Sequence, residues 1–201
     1  MKKPAHDALR TYRDKRDFDR TPEPAGESSE HKSPETIFVV QMHAARSLHW
    51  DFRLEIAGTL KSWAVPKGPS GNPADKRLAV ATEDHPLEYA DFEGSIPEGE
   101  YGAGTVLLWD RGTFRNDGPR HGQDVSLEEA FERGHLLVWL EGQKLRGGFA
   151  LINSKLGGNP KNWLLIKSSK DQEMDPEEDV VNARPESVLS GKTIEELKDT
   201  D

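Results

Sequence analysis

Gln41-Met42-His43-Ala44-Ala45-Arg46-Ser47-Leu48-His49-Trp50-Asp51-Phe52-Arg53-Leu54-Glu55 is the stretch on which the fold turns. From His49 to Ile56 polar and apolar residues alternate without a break: His49, Asp51, Arg53 and Glu55 against Trp50, Phe52, Leu54 and Ile56. Side chains on a strand point to opposite faces with a period of two, so one face can seal a core while the other presents two kinds of metal-ligating group beside an arginine.

Outward from this strand, the text between Thr36 and about Lys167 reads as short strands separated by turn residues. Candidates are 36–43, 49–56, 60–65, 78–82, 104–110, 112–114, 136–141, 148–153 and 163–167. Ala57-Gly58 is a two-residue hairpin link. One internal helix is signalled, Leu127 to Arg133, with Ser126 and Glu129 as a capping box and Gly134 as the stop. Many short strands with so little helix point to a mainly β fold, a compact closed or nearly closed antiparallel β-barrel with short helices.

Composition sets the limits around that core. With 201 residues, 34% apolar and 31% charged, the packed part is smaller than the chain. The expected organisation is an N-terminal arm over 1–35 that contributes to the site, a barrel over 36–168, and a flexible acidic tail over 169–201. The net charge of −9 is unevenly spread: Ser168 to Asp201 holds 11 acidic and 4 basic residues, leaving 25 acidic and 23 basic elsewhere. The body is nearly balanced and can bind phosphate locally. A short terminal helix is expected after a cap at Thr193 and Glu196. The absence of cysteine excludes disulfides, thiolate metal sites and a cysteine nucleophile, and fits a reducing compartment. The chain has neither a signal-like start nor a membrane-length apolar run, so a cytoplasmic protein without a membrane partner is expected.

His43 closes one candidate strand, His49 opens the next and Asp51 follows two residues on. If the strands pair through 44–48, two imidazoles and a carboxylate meet at one point with coordination positions left open. Manganese, zinc and iron all suit such a mixed set, and two surface histidines beside a carboxylate account for the spacing equally well. Arg53 on the same face fits either a structural partner of Asp51 or a fork for two phosphate oxygens. Lys67 and Arg77, at strand ends, are candidate phosphate cations, while His85 and Tyr89 lie in a loop after a strand. Gly94 to Gly104 lacks nucleotide-loop spacing and reads as a structural turn. The five tryptophans read as core or barrel wall.

Taken together, Arg16-Asp17 with Glu23, His43, the HWDFRLE run at 49–55, VPKG at 65–68, EDHPLEY at 83–89 and IPEGEYG at 96–102 closely resemble the 3′-phosphoesterase domain of bacterial DNA ligase D. The likeness runs in order over about residues 8–170, and Trp163 to Lys167 is similar to that domain's final strand. It implies a manganese-dependent β-barrel enzyme, with other divalent transition metals as alternatives, that heals DNA 3′ ends in strand-break repair and non-homologous end joining. A terminal ribonucleoside is removed to leave a 3′-phosphate, which is then hydrolysed to a 3′-hydroxyl. The resemblance implies metal ligation by His43, His49 and Asp51, and phosphate engagement by Arg53, Lys67 and Arg77. His85 and Tyr89 would act at the scissile phosphate, while Arg16, Asp17, Glu23 and Glu83 would serve the ribonucleoside step. The implied substrate is a DNA primer-template or 3′ end, including one with a terminal ribonucleotide, with ligase, polymerase and Ku as candidate repair partners. Family members usually lead a ligase and polymerase fusion; this chain ends at Asp201 with neither, as a stand-alone member or an excised fragment would. A non-catalytic DNA-end-binding module and a cupin-like metal oxygenase or isomerase are the rival readings; a ring of cations speaks against the latter.

Overall fold

The computed structural model describes residues 7–26, 35–118 and 125–199. The strands are β1 Ile37–Ala44, β2 Leu48–Ile56, β3 Thr59–Val65, β4 Arg77–Ala81, β5 Gly94–Ile96, β6 Gly104–Asn116, β7 His135–Gly142, β8 Arg146–Asn153 and β9 Asn162–Lys167. The short helices are α1 Arg10–Asp14, α2 Leu127–Glu132, α3 Val180–Ala183 and α4 Ile194–Lys198. Neighbours run β1-β2-β3-β4-β9-β8-β7-β6, all antiparallel, and β6 pairs back onto β1 to close an eight-stranded barrel. β5 is an extra strand on β6. The expected mainly β closed barrel is therefore the observed one.

Local chemistry explains the first three strands. Ala57 and Gly58 both have positive φ, 53° and 77°, which keeps the two-residue turn in step with strand twist. The resulting register puts Trp50 opposite both Met42 and Val65, and Phe52 opposite both Val40 and Trp63, so like faces stay together. These side chains fill the barrel with Phe38, Leu107, Trp109 and Leu136. Trp50, Trp63, Trp109 and Trp163 are buried. Trp139 instead lies partly exposed outside this core, where the Arg115 guanidinium sits 4.7 Å from its ring centre.

The opposite faces of β1 and β2 carry Gln41, His43, His49, Asp51 and Arg53 on the outer wall of the barrel. A second, smaller apolar cluster of Tyr12, Val39, Leu60, Tyr89, Ala90 and Leu108 packs the arm and the 87–92 segment onto that wall. Residues 1–6 and 27–34 of the expected arm lie outside the described residues.

Residues 169–199, expected as part of a flexible acidic tail, pack against the barrel. Val180, Val181 and Ile194 are buried in the barrel's core cluster. Trp109 Nε1 donates to the Arg184 carbonyl at 2.8 Å, Val188 N to Leu108 O at 2.9 Å and Gly148 N to Asp171 Oδ2 at 3.0 Å. Charge counting hid this because the acids face water while a few aliphatic residues face inward. The Thr193–Glu196 capping box forms as expected and starts α4. At α2 only half of the box forms: Ser126 accepts from Glu129 N, while the Glu129 carboxylate turns to Arg133. Among the described residues no helix is long and apolar enough to cross a membrane.

Candidate active site

Antiparallel pairing of β1 and β2 sets His43 opposite His49 and Gln41 opposite Asp51. The ligand atoms of His43, His49 and Asp51 lie within 4.8 Å of one another. Each imidazole is oriented from behind by a backbone carbonyl. His43 Nε2 lies 2.8 Å from Gly102 O, and His49 Nδ1 lies 3.0 Å from Ser47 O. A carbonyl can only accept, so these nitrogens carry the ring protons and the other two carry lone pairs. The lone-pair atoms, His43 Nδ1 and His49 Nε2, each stand 3.6 Å from an Asp51 oxygen. In the neutral rings three acceptors thus face one point, the arrangement of a cation site whose imidazoles are aimed by the carbonyls behind them. A divalent ion fits these residues, and two nitrogens with one oxygen suit a borderline transition metal. Burial works to raise the Asp51 pKa, but the Arg53 guanidinium beside it acts against that, and the carboxyl is held well below its ordinary value.

Arg53 is the hub of the polar network behind the ligands. Its Nε donates to Gln41 Oε1 at 2.7 Å, Nη2 to Asp51 Oδ2 at 3.1 Å and Nη1 to Ser62 Oγ at 2.8 Å. Nη1 also lies 3.0 Å from His85 Nδ1, and the Tyr89 ring centre is 4.9 Å from the guanidinium. Four of the five N–H groups are thereby committed, leaving one on Nη2. The expected open fork for two phosphate oxygens is engaged by the protein itself. Gln41, which the sequence reading passed over, also donates from Nε2 to the Tyr89 and Phe92 carbonyls at 2.9 Å each.

His85 is tethered to β3 by reciprocal backbone bonds with Leu60, at 2.9 and 3.0 Å. Its Nδ1 lies 2.9 Å from the Glu83 carbonyl as well as near Arg53. The carbonyl can only accept and the guanidinium can only donate, so the two contacts belong to opposite tautomers. Burial first, then the charges of Arg53 and Arg16, push the His85 pKa well below its ordinary value, and the ring is neutral. When Arg53 donates to Nδ1, the proton resides on Nε2.

The arm adds a third layer. Arg16 donates from Nε to Glu23 Oε1 at 3.0 Å and from Nη1 to the Tyr12 carbonyl at 3.1 Å and Glu83 Oε1 at 3.3 Å. Its guanidinium stacks 3.8 Å from the Tyr12 ring centre. Glu23 is fully enclosed, accepting also from Thr21 Oγ1 at 2.9 Å and Tyr89 Oη at 3.0 Å. Burial and the Glu23 charge raise the Tyr89 pKa well above its ordinary value, so the phenol keeps its proton and donates. Burial opposes ionisation of Glu83, yet its own backbone N–H, Lys15 and Arg16 lower its pKa overall.

These residues surround a cleft of about 910 Å³ whose lining includes Arg16, His43, Arg46, His49, Asp51, Arg53, Glu83, His85, Tyr89 and Tyr101. Glu23 stands just behind it. Asp17, Lys67 and Arg77 do not line it. Asp17 is exposed and accepts from Asp19 N at 3.2 Å, a turn contact. Lys67 is exposed two residues beyond β3, and Arg77 donates to Asp75 at 2.9 Å. Period-two alternation held a signal for Gln41, on the face of His43. No local signal marked Ser62 or the Gly102 carbonyl, which act across long sequence separations.

The family model of the DNA ligase D 3′-phosphoesterase domain matches residues 41–153, more than half of the sequence. The chain belongs to this family. The matched span starts at Gln41 and ends with β8, so it contains the histidines, Asp51, Arg53 and His85. Among family relatives, the multifunctional non-homologous end joining protein LigD of Pseudomonas aeruginosa is 50% identical over 194 residues, covering 95% of this chain and 22% of that protein. The protein of the same name from Mycolicibacterium smegmatis is 44% identical over 183 residues, 91% of this chain and 22% of its own length. The multifunctional non-homologous end joining DNA repair protein LigD of Mycobacterium tuberculosis is 43% identical over 173 residues, 85% and 21%. The chain therefore spans about a fifth of the length of these family relatives.

Proposed function

We propose that this chain is a metal-dependent phosphoesterase that heals DNA 3′ ends in the cytoplasm during non-homologous end joining. It removes a terminal ribonucleoside to leave a 3′-phosphate and then hydrolyses that phosphate to a 3′-hydroxyl. The observation that carries the reading is the convergence of His43 Nδ1, His49 Nε2 and the Asp51 carboxylate at an open cleft, each imidazole oriented by a backbone carbonyl. Membership of the 3′-phosphoesterase family and the repair role named for its relatives support it.

Manganese is the proposed ion, with other divalent transition metals as alternatives, held by His43, His49 and Asp51. Once bound, it would supply positive charge to a phosphate oxygen as the P–O bond breaks. Arg53 keeps Asp51 ionised and aimed, and contributes its remaining Nη2 N–H to the anion. His85, in the tautomer selected by Arg53, offers Nε2–H to a non-bridging oxygen. Tyr89 holds Glu23 by its hydroxyl, and Glu23 in turn holds Arg16. Arg16, Glu23 and Glu83, with the Asp17 turn that positions the arm, shape the side of the cleft that serves ribonucleoside removal. Lys67 and Arg77 act on phosphates farther along the strand. The substrate is a DNA primer-template or other 3′ end, with or without a terminal ribonucleotide, and ligase, polymerase and Ku activities are the proposed repair partners.

The test is an end-group assay on a primer-template ending in one ribonucleotide, with each metal supplied separately. The expected products are first a 3′-phosphate and then a 3′-hydroxyl, with manganese effective and His49→Ala inactive in both steps. A folded, metal-loaded protein that releases neither nucleoside nor phosphate refutes the enzymatic reading, and binding to DNA ends without turnover would favour an end-binding module instead.

A further inference from the structure

The cleft poses an electrostatic problem. Its lining includes the carboxylates of Asp51, Glu83, Glu98 and Glu100 against only three guanidiniums, those of Arg16, Arg46 and Arg53. A phosphate monoester dianion entering such a cleft needs cationic donors with N–H groups to spare. Two of the three arginines are poor candidates. Arg53 has one uncommitted N–H, and its side chain is 3% exposed. Arg16 is 4% exposed and committed through Nε and Nη1 to Glu23, Glu83 and a backbone carbonyl. Arg46 differs on both counts. It is exposed, it lines the cleft, and among the described residues it makes no hydrogen bond or ion pair.

We propose that Arg46 grips the terminal 3′-phosphate, its guanidinium fork taking two non-bridging oxygens. The proposal rests on the phosphoesterase reading and adds a phosphate-binding residue to it. The backbone around Arg46 supports the assignment. Ala44 pairs with Leu48, so Arg46 is the middle residue of the three-residue loop Ala45-Arg46-Ser47, three positions from His43 and three from His49. The pedestal is fixed on both sides of the loop, by the His43 bond to Gly102 O and by the Ser47 carbonyl that orients His49. A long cationic side chain on a fixed base beside the metal ligands can swing onto an anion without disturbing a single existing contact. Arg53 has one N–H to offer and Arg16 only those of its Nη2, and both guanidiniums are held in place by buried ion pairs.

The test compares fluorescent primer-templates ending in a 3′-phosphate or a 3′-hydroxyl, bound by the full chain in EDTA so that no turnover occurs. The unsubstituted protein should prefer the phosphate end. Arg46→Ala should lose that preference, weakening the phosphate end by about tenfold to a hundredfold while the hydroxyl end stays within about twofold. Arg46→Lys, which keeps the charge but loses the planar fork, should fall between. Because the side chain is exposed and unpartnered, melting temperature and manganese stoichiometry should not change. No preference in the unsubstituted protein, a preference retained by Arg46→Ala, or equal weakening of both ends, which marks a backbone phosphate contact, would each overturn the proposal. A protein that binds the phosphate end through Arg46 but hydrolyses nothing with any metal defeats the enzymatic reading alone. Undiminished hydrolysis by Arg46→Ala defeats the Arg46 assignment alone.

Discussion

Tyr12→Ala should detach the arm from the barrel without unfolding the barrel. Tyr12 is completely buried, with its ring 5.1 Å from His85, 5.9 Å from Phe18 and 6.1 Å from Tyr89, and its hydroxyl donates to Pro24 O at 2.7 Å. Truncating a buried aromatic side chain to alanine costs about 3–5 kcal/mol. That cost falls on arm docking, because Tyr12 belongs to the outer cluster rather than to the barrel core. The arm has little to offset it, since a helix as short as α1 is not stable alone. A loss of about 3 kcal/mol multiplies the open population by roughly a hundredfold. Native-state hydrogen exchange reads this directly: the amides of Arg13, Arg16, Arg20 and Thr21, now bonded within the arm, should exchange about a hundredfold faster while those of β7 and β8 stay unchanged. Tyr12→Phe, which removes only the bond to Pro24, should cost about 1 kcal/mol. In the end-group assay the ribonucleoside step should fall further than the phosphate step. Arm amides as protected in Tyr12→Ala as in the parent, or arm and barrel losing protection together, would refute the separation of the two packing units.

Other expectations follow from single contacts. Gly104→Ala should cost roughly 2–4 kcal/mol in chemical denaturation and weaken metal binding, because φ is +137° and a Cβ would stand 2.3 Å from Ala44 O, next to His43; unaltered metal affinity would contradict this. Asp171, a partner of Lys167 and Gly148, has its pKa lowered below 3.8, its burial being outweighed by those contacts. The unfolded chain therefore binds its proton first as pH drops, so the stabilisation is full above the unfolded pKa and is lost as pH falls through the folded one. Asp171→Asn should be less stable than the parent by about 1.5–3 kcal/mol at pH 7, and the gap should close as pH falls through the folded pKa; a gap that persists after the parent carboxyl has been protonated would exclude the ionic contribution. A chain ending at Ser169 should lose at least about 4 kcal/mol, since burying each of Val180, Val181 and Ile194 is worth about 1.5–3 kcal/mol, and an unchanged melting temperature would show that the C-terminal packing is incidental.

The central hairpin was legible almost to the residue. Strict alternation and the Ala57-Gly58 turn placed strands at 36–43, 49–56 and 60–65, and the observed ones are Ile37–Ala44, Leu48–Ile56 and Thr59–Val65. The fault lay where glycine was read only as punctuation. The two pieces at 104–110 and 112–114 are one strand, β6, and Gly112 sits inside it because Glu141 O would lie 2.1 Å from any Cβ there. β5 and the His43-orienting carbonyl both lie in the glycine-rich run read as a plain turn. Residue types and alternation were enough to bring His43, His49 and Asp51 together as candidates, because one hairpin carries all three. They could not show that Gln41, Ser62, His85 and Asp51 would engage four of the five Arg53 N–H groups, since that depends on elements paired through tertiary contacts. The C-terminal packing was hidden for a related reason: a few buried aliphatic residues outweigh many solvated acids.

The candidate chemistry stands on the outside of a filled barrel rather than in its bore. The tryptophan- and phenylalanine-packed interior makes the wall stiff, and the ligands inherit their spacing from strand pairing instead of from mobile loops. An open wall also sets no limit on the length of the molecule presented to it. A polymer terminus could approach such a wall tangentially and depart without threading an aperture.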